Sequence, residues 1–265
     1  MKKKEITKFL RKIRLLHLFD WLRYYFHKIS NLKKNAAFKK RCPFVVLPPD
    51  YLIYESFQLD YKKYYDDSFE TAKWLANHFS SYINLKNAKI LDWGCGPGRI
   101  IRHLPKIIKS ADFYGTDYNN RSIKWCSENL PNISFNHNSL KADLPYENGS
   151  FDVIYGISIF THLSEQMHYN WYKELYRILR PGGILFITTQ GENFKRKLNQ
   201  EEKNKFDEGA LVVRGNVREG HRVYSSFQPV NFMKKLFFNV KILKHIETDA
   251  GKNRVIPQDI WIVKK

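Results

Sequence analysis

Ile90-Leu91-Asp92-Trp93-Gly94-Cys95-Gly96-Pro97-Gly98-Arg99 places a glycine-rich turn directly after a short apolar run that predicts a buried strand. Glycines allow positive φ and let the backbone approach a ligand closely, and a helix opening after the turn would present unpaired N–H groups. Several kinds of nucleotide-binding fold share such a turn, so two acids carry the discrimination. Asp92 lies inside the strand end, and Asp117 closes the next predicted strand, 19 residues after Gly98. A carboxylate there can accept both ribose hydroxyls of an adenosine ligand, at about 1.5–3 kcal/mol per charge-assisted bond. The plainer alternative is a solvated turn aspartate beside an ordinary strand–helix loop. A nicotinamide dehydrogenase is disfavoured, because Gly94, Gly96 and Gly98 stand two apart rather than at GxGxxG spacing.

Outward from this turn, apolar strands alternate with helical stretches, the pattern of a parallel sheet covered on both faces. The strands are predicted at 89–93, 112–117, 133–137, 151–158 and 184–189. Before the last, Tyr172, Leu175, Ile178 and Leu179 share a helix face, and Pro181-Gly182-Gly183 reads as its stop. Residues 191–229 are polar and less regular, a substrate-side insertion. A helix over 230–238 follows, then apolar stretches at 240–246 and 259–263. The connection carrying Gly251 and Pro257 is too short for a crossover helix, so these two should pair antiparallel. Upstream, Asp67 and Glu70 suggest a capping box opening a helix with Phe69, Ala72, Ala76, Phe79 and Ile83 on its apolar face.

The 265 residues, 43% hydrophobic, suit one α/β core with an appendage. Of the formal charge of +19, residues 1–41 hold +12, from 14 Lys or Arg against Glu5 and Asp20. Apolar residues recur through them at Ile6, Phe9, Leu10, Ile13 and Leu16, then at Trp21, Leu22, Tyr25, Ile29 and Leu32, as in one or two basic amphipathic helices. Pro43, Pro48 and Pro49 mark a connector. The expected division is therefore a basic N-terminal segment, 1–42, and a catalytic domain, 43–265. Arg11, Lys12, Arg14 and Asp20 interrupt any signal-peptide apolar region, and no stretch reaches the roughly 18 apolar residues of a membrane span. Cys42, Cys95 and Cys126 form no CxxC pair, and no histidine cluster has metal-ligand spacing, which predicts a reduced, cytoplasmic protein without structural metal.

Over about residues 66–265 the chain resembles the class I S-adenosylmethionine-dependent methyltransferases. The resemblance rests on Asp92 to Gly98, on Asp117, on Leu144-Pro145-Tyr146 with Ser150-Phe151-Asp152, and on Leu179-Arg180-Pro181-Gly182-Gly183, in the family's order and separations. It implies a Rossmann-like seven-stranded sheet of order 3-2-1-4-5-7-6, with strand seven antiparallel and helices on both faces. It also implies S-adenosyl-L-methionine as cofactor. Asp92, Gly94, Cys95, Gly96 and Gly98 would line its methionine moiety, Asp117 would hold the ribose, and Tyr118 would pack on the adenine. Asn138, Ser139 and Leu140 fall at the adenine edge, with Asn138 where the family usually has Asp. Gly156 to Leu163 (GISIFTHL) and Gln190-Gly191-Glu192 further resemble a bacterial subgroup with SVFTHL and HGE, which points to sugars of surface polysaccharides or small metabolites. Gln190 replaces that subgroup's His, and Phe227-Gln228-Pro229 stands where an aromatic-His-Pro is usual.

Because the sulfonium is already a good leaving group, such an enzyme chiefly aligns nucleophile and methyl carbon and excludes water. A hydroxyl acceptor gains from a general base, whereas an amine must only arrive unprotonated. The candidates at the predicted sheet mouth are Ser158, His162 and Glu192, with His162 alternatively tying down its loop; His221 and Tyr224 would belong to a substrate lid. The acceptor is expected to be a sugar, glycan precursor or small metabolite. Rival readings are a nucleic-acid or protein methyltransferase recruited by the basic segment, and a catalytically silent cofactor-binding module. The basic segment itself fits peripheral contact with an anionic membrane, at the inner surface, or packing on the catalytic domain or a partner; nucleic acid is less favoured, because no recognisable binding module accompanies it.

Overall fold

The computed structural model describes residues 16–215, 217, 219–220, 224–248 and 256–265, so Ile6, Phe9, Leu10, Ile13, His221 and Gly251 lie outside the described residues. The basic region forms two helices, α1 (Leu16–Ser30) and α2 (Leu32–Arg41). They part at Asn31, whose side-chain amide donates to Gln58 O at 2.9 Å. With α3 (Asp50–Phe57) they enclose an aromatic cluster of Phe38, Ile53, Tyr54, Leu59, Tyr61 and Tyr64. Asn35 serves as a buried polar pin in it, donating to Leu59 O at 2.8 Å and accepting from Tyr61 N at 3.1 Å. By their contacts the described residues up to Glu70 form one compact unit, and Thr71–Lys265 form a second.

The helix expected to open at Asp67 starts earlier. Tyr61 and Lys62 are already helical, Lys63–Asp67 widen into a π-helical turn, and α4 (Ser68–Ser80) continues directly. From Thr71 on, the second unit is built on a seven-stranded sheet. Its strands are β1 (Lys89–Trp93), β2 (Asp112–Asp117), β3 (Ser134–His137), β4 (Phe151–Gly156), β5 (Leu179–Thr189), β8 (Lys241–Ile246) and β9 (Asp259–Lys264), in the order β3-β2-β1-β4-β5-β9-β8. β9 alone runs against its neighbours, pairing antiparallel with both β5 and β8. With β9 and β8 as its seventh and sixth strands, this is the expected topology.

Alternation explains the burial on both faces. Ile90, Val153, Ile184 and Ile262 face a layer with Ala72, Leu75 and Phe79 of α4. Leu91, Ile154, Leu185 and Val263 face the opposite layer, with Trp171, Leu175 and Ile178 of α7 (Glu165–Ile178) and Phe232 and Leu236 of α9 (Val230–Leu236). Each fully buried side chain of this size contributes about 1.5–3 kcal/mol, which makes the two layers the main source of stability.

Three local expectations change. Pro181-Gly182-Gly183 does not separate helix from strand: β5 begins at Leu179, opposite Phe151, and the ladder resumes at Ile184 opposite Val153, so these residues bulge out between the two pairings. Gly182 takes φ +80°, and its N–H is satisfied by Lys265 O at 2.8 Å. After the glycine turn there is no long helix, only a 3-10 turn (Ile101–His103) and the short α5 (Leu104–Ile107), because Pro97 and Pro105 withhold donors that a continuous helix would use. The insertion is more ordered than its composition suggested. It holds a 3-10 turn (Glu192–Lys197), a helix, α8 (Gln200–Asp207), with an Asn199–Glu202 capping box, and a hairpin of β6 (Val212–Arg214) with β7 (Ser225–Phe227).

Candidate functional site

At the carboxyl end of β1 the chain turns back on β2: Gly94 N and Cys95 N both donate to Thr116 O, at 2.8 and 3.0 Å. The glycines have separate reasons. Gly94 has φ +78°, and a Cβ there would stand 2.1 Å from Ile159 Cδ1; at Gly98, with φ +70°, a Cβ would meet Leu130 Cδ1 at 2.8 Å. Gly96, with φ +52°, would meet nothing within 4 Å. All three take the left-handed conformation that favours glycine; at the first two a Cβ would also press on a neighbouring side chain, and the third has open space beside it.

Asp117 ties this turn to the end of β2. Its Oδ2 accepts from Gly96 N at 2.8 Å and its Oδ1 from Asn119 N at 2.7 Å. Burial raises its pKa, and the two backbone donors oppose that rise. Asn119 in turn caps α6 (Asn120–Asn129), accepting from Arg121 N and Ser122 N. Behind the turn, Asp92 is 4% exposed, and burial pushes its pKa up to about 7, against the pull of the Tyr155 hydroxyl and Arg99. The buried Tyr155 Oη, which acts on that carboxyl, has no other hydrogen-bond partner among the described residues. A buried acid whose pKa is raised by desolvation is suited to receive a positive ligand group, which would favour its charged form.

Gly94, Asp117, Tyr118, Asn138, Ser139 and Leu140 line a cavity. Trp93, Ile159, His162, Leu163, Trp171 and Gly220 line the same cavity. Asp92, Cys95, Gly96 and Gly98 are not among the residues that line it. The Asn138 side chain is engaged locally, its Oδ1 accepting from Thr116 Oγ1 at 2.6 Å and its Nδ2 donating to Ser139 O at 2.7 Å. That arrangement holds β2 to the chain after β3 and leaves Leu140 as the apolar wall. Cys95 and Cys126 are buried and free, with their thiol pKa values raised, first by burial.

His162 sits in a 3-10 turn (Phe160–His162) after β4, just before Ser164 caps α7 by accepting from Met167 N at 3.3 Å. Its Nδ1 lies 2.7 Å from the Tyr224 carbonyl. A carbonyl can only accept, so Nδ1 carries the proton and Nε2 keeps its lone pair. Burial lowers the His162 pKa, partly offset by that hydrogen bond, so the ring is neutral at pH 7. The insertion is stitched to this turn: Gly220 N donates to His162 O at 3.0 Å, Tyr118 Oη donates to Gly220 O at 3.1 Å, and the Glu219 carboxylate accepts from Ser164 N. Gly220 takes φ +78°, the region that favours glycine, and a Cβ there would lie 2.7 Å from the end of the Leu140 side chain.

The other candidates fall elsewhere. Ser158, held at φ +65°, accepts from Gln258 Nε2 at 2.8 Å and lies 3.0 Å from Thr161 Oγ1, bonds that brace the end of β4. Glu192 is exposed, outside the cavity, and paired with Lys195 at 3.3 Å. Gln190 and Gln228, at the two positions where the resembling subgroup carries histidine, bond each other: Gln190 N donates to Gln228 Oε1 and Gln228 N to Gln190 O, each at 2.9 Å. Spacing along the sequence also missed a grouping of His245, Glu247 and Asp259, in which His245 Nε2 is 2.9 Å from Asp259 Oδ2 and the ring stacks on Trp261. Trp171 and Gly220 were missed as well. Trp171 reads as ordinary helix core, and Gly220 gives no signal before the loop is folded back.

Residues 90–183 match the family described as the methyltransferase domain. Over 160 residues the chain is 29% identical to a phthiotriol/phenolphthiotriol dimycocerosates methyltransferase of Mycobacterium ulcerans, covering 54% of this chain and 55% of that protein. Over 176 residues it is 27% identical to a tRNA N(3)-methylcytidine methyltransferase of Schizosaccharomyces pombe, covering 59% and 54%. The chain thus spans about half the length of these curated relatives. A solved structure of a SAM-dependent methyltransferase from Methanosarcina mazei superposes with a TM-score of 0.55 at 19% identity, over 70% of this chain and 95% of that one, and shares the fold.

Proposed function

We propose that this chain, a member of the class I S-adenosylmethionine-dependent methyltransferases, transfers a methyl group to a hydroxyl or amine, with His162 as the base that receives the acceptor's proton. When bound, S-adenosylmethionine supplies an electrophilic methyl on a sulfonium leaving group. The chain's own residues suit that ligand. The remaining lone pairs of Asp117 would accept the ribose hydroxyls, the raised pKa of Asp92 would fall on meeting the methionine ammonium, and Leu140 with Tyr118 would flank the adenine.

The observation that carries the reading is the tautomer of His162. Nδ1–H is committed to Tyr224 O, and the unprotonated Nε2 belongs to a residue lining the same cavity as Gly94 and Asp117. Such a base contributes typically about 10²–10⁴-fold. Around it, Trp93, Ile159, Leu163 and Trp171 offer little to a sugar's several hydroxyls. An acceptor that joins one hydroxyl or amine to an apolar body fits better, which among sugar, glycan-precursor and metabolite acceptors favours a lipid-linked one. Of the two relatives, the one named for a lipid is closer to that chemistry than the one named for tRNA. The basic N-terminal helices would bring the enzyme to an anionic membrane surface where such acceptors reside.

The test is transfer of radiolabelled methyl from S-adenosylmethionine into lipid, glycan, small-metabolite, protein and nucleic-acid fractions. Label entering the lipid-linked fraction, and reduced about 100-fold by His162→Ala with cofactor affinity intact, is the expected result. Label confined to nucleic acid or protein would overturn the acceptor assignment, and full turnover by His162→Ala would remove the base.

A further inference from the structure

On a surface helix the solvent face is ordinarily the polar one, and α1 reverses this. Its inward face is Asp20, Tyr24 and His27, at helical spacing. Tyr24 and His27 pack on the Tyr54 ring, and Asp20 Oδ1 accepts from Tyr54 Oη at 2.7 Å. The opposite arc, Trp21, Leu22, Tyr25, Phe26 and Ile29, is exposed, Leu22 by 53%, Phe26 by 67% and Ile29 by 70%; Leu32, 60% exposed, prolongs it. Scattered apolar side chains on a surface need no explanation, but these are not scattered. Nine of the fourteen exposed large hydrophobic side chains among the described residues fall between Trp21 and Tyr51.

The charges around this stripe are of one sign. Residues 20–41 hold seven Lys or Arg, and their single acid, Asp20, is turned inward against Tyr54. Lys28 and Arg41 are paired with Asp50 and Asp66 of the same unit. Lys33, Lys34 and Lys40 are exposed, and no carboxylate pairs with them among the described residues. On α2, Asn35 and Phe38 are buried, so Lys33 and Lys40 project from the opposite, exposed side.

We infer that α1 and α2 form an in-plane docking face for an anionic lipid bilayer. Leu22, Phe26 and Ile29 enter the boundary between headgroups and acyl chains, Trp21 and Tyr25 lie at its polar edge, and the lysines meet lipid phosphates. Such a helix lies in the interface plane, with its apolar face buried about 5–10 Å, and each nearby Lys or Arg adds about 1 kcal/mol at most. No described helix is long and apolar enough to cross a membrane, so attachment through these residues is to the surface. Nucleic acid would engage the same lysines, but would leave Leu22, Phe26 and Ile29 in water. The inference extends the membrane attachment proposed above, and its test needs no turnover, so either can fail alone.

The test is sedimentation of the full chain with phosphatidylcholine vesicles, with and without phosphatidylglycerol, alongside light scattering without lipid. The wild-type protein should pellet with the anionic vesicles only. Phe26→Asp with Ile29→Asp should weaken partitioning at least roughly tenfold, and Lys33→Glu with Lys40→Glu several-fold, an effect that added salt should mimic. Unchanged S-adenosylhomocysteine affinity in both variants would show that the sheet domain is intact. Absent or composition-independent pelleting of the wild type, or undiminished pelleting of the Phe26/Ile29 variant, would overturn the inference. So would a dimer that this variant dissociates, which would give the stripe to a second copy of the chain. RNA binding lost with the lysines but not with Phe26 and Ile29, in place of vesicle binding, would overturn it in favour of nucleic acid.

Discussion

The two sides of the proposed site are built differently. The proposed cofactor side is made largely of backbone: Gly94 N and Cys95 N on Thr116 O, Gly96 N on Asp117, and positive φ at three glycines, all within the β1–β2 stretch. The proposed acceptor side is made of side chains and of a loop that arrives from far along the chain: Ile159, His162 and Leu163 after β4, Trp171 on α7, and Gly220 from the insertion, with Tyr224 O holding His162 Nδ1. A site made of backbone tolerates little change and serves one ligand, whereas a side-chain wall can be revised without touching the fold. Damage to the first side should therefore abolish cofactor binding, and damage to the second should alter turnover alone.

The largest expected effect is on the cofactor side. Asp117→Ala leaves Gly96 N and Asn119 N without acceptors and removes the ribose contact. At about 1.5–3 kcal/mol for each charge-assisted bond, S-adenosylhomocysteine affinity should fall at least roughly 100-fold by calorimetry. A loss smaller than tenfold would break the contrast, because the backbone turn would then hold the ligand without its acid.

Proton linkage gives a second, intermediate test. Free Asp92 titrates near 7, and a cationic ligand group favours its charged form, so binding must release protons around and below pH 7. Affinity should rise with pH through that range by about tenfold per unit of pKa lowering, then level off. Asp92→Asn should abolish both the pH dependence and the buffer dependence of the binding enthalpy. His162 behaves in the opposite sense: its lowered pKa keeps Nε2 unprotonated at pH 7, so turnover of the saturated enzyme should fall only as pH drops below the ordinary histidine range. Coincident pH profiles for affinity and turnover would mean that one group governs both sides.

The smallest effect should come from Glu192→Ala. The side chain is exposed and, among the described residues, paired with Lys195 in its own turn. Stability should change by less than about 0.5 kcal/mol and kcat/KM by less than about twofold. A large loss of turnover would extend the acceptor side across the insertion and sharpen its boundary.

Legibility followed the same division. The β1 turn, Asp117 and the terminal antiparallel pair were readable because each is a local constraint: positive φ selects glycine, a strand end sets the place of its acid, and a short connection excludes a crossover. Pro181-Gly182-Gly183 misled because proline and glycine mark a break without saying whether the interrupted element is a helix or a ladder. Here the partner strand β4 settles that, with Leu179 already paired to Phe151. Glu192 shows the limit of such reading, since a position after β5 puts a residue near the sheet mouth but does not aim its side chain, and Glu192 is not among the residues lining the cavity.

What the sequence determined by itself was the alternation of strands and helices, the glycine turn after β1 and the terminal antiparallel pair, with the sheet order and the cofactor implied by the family resemblance its motifs carry, because alternation, glycine spacing and strand ends are written in consecutive residues. Only the tertiary structure decided which nitrogen of His162 keeps a lone pair, and that Asp92 titrates near 7. It alone grouped residues 43–70 with the basic helices, and turned Leu22, Phe26 and Ile29 outward. The physical reason is shared: hydrogen-bond commitment, desolvation and the choice of buried face depend on atoms brought from distant parts of the chain, and periodicity carries no record of them.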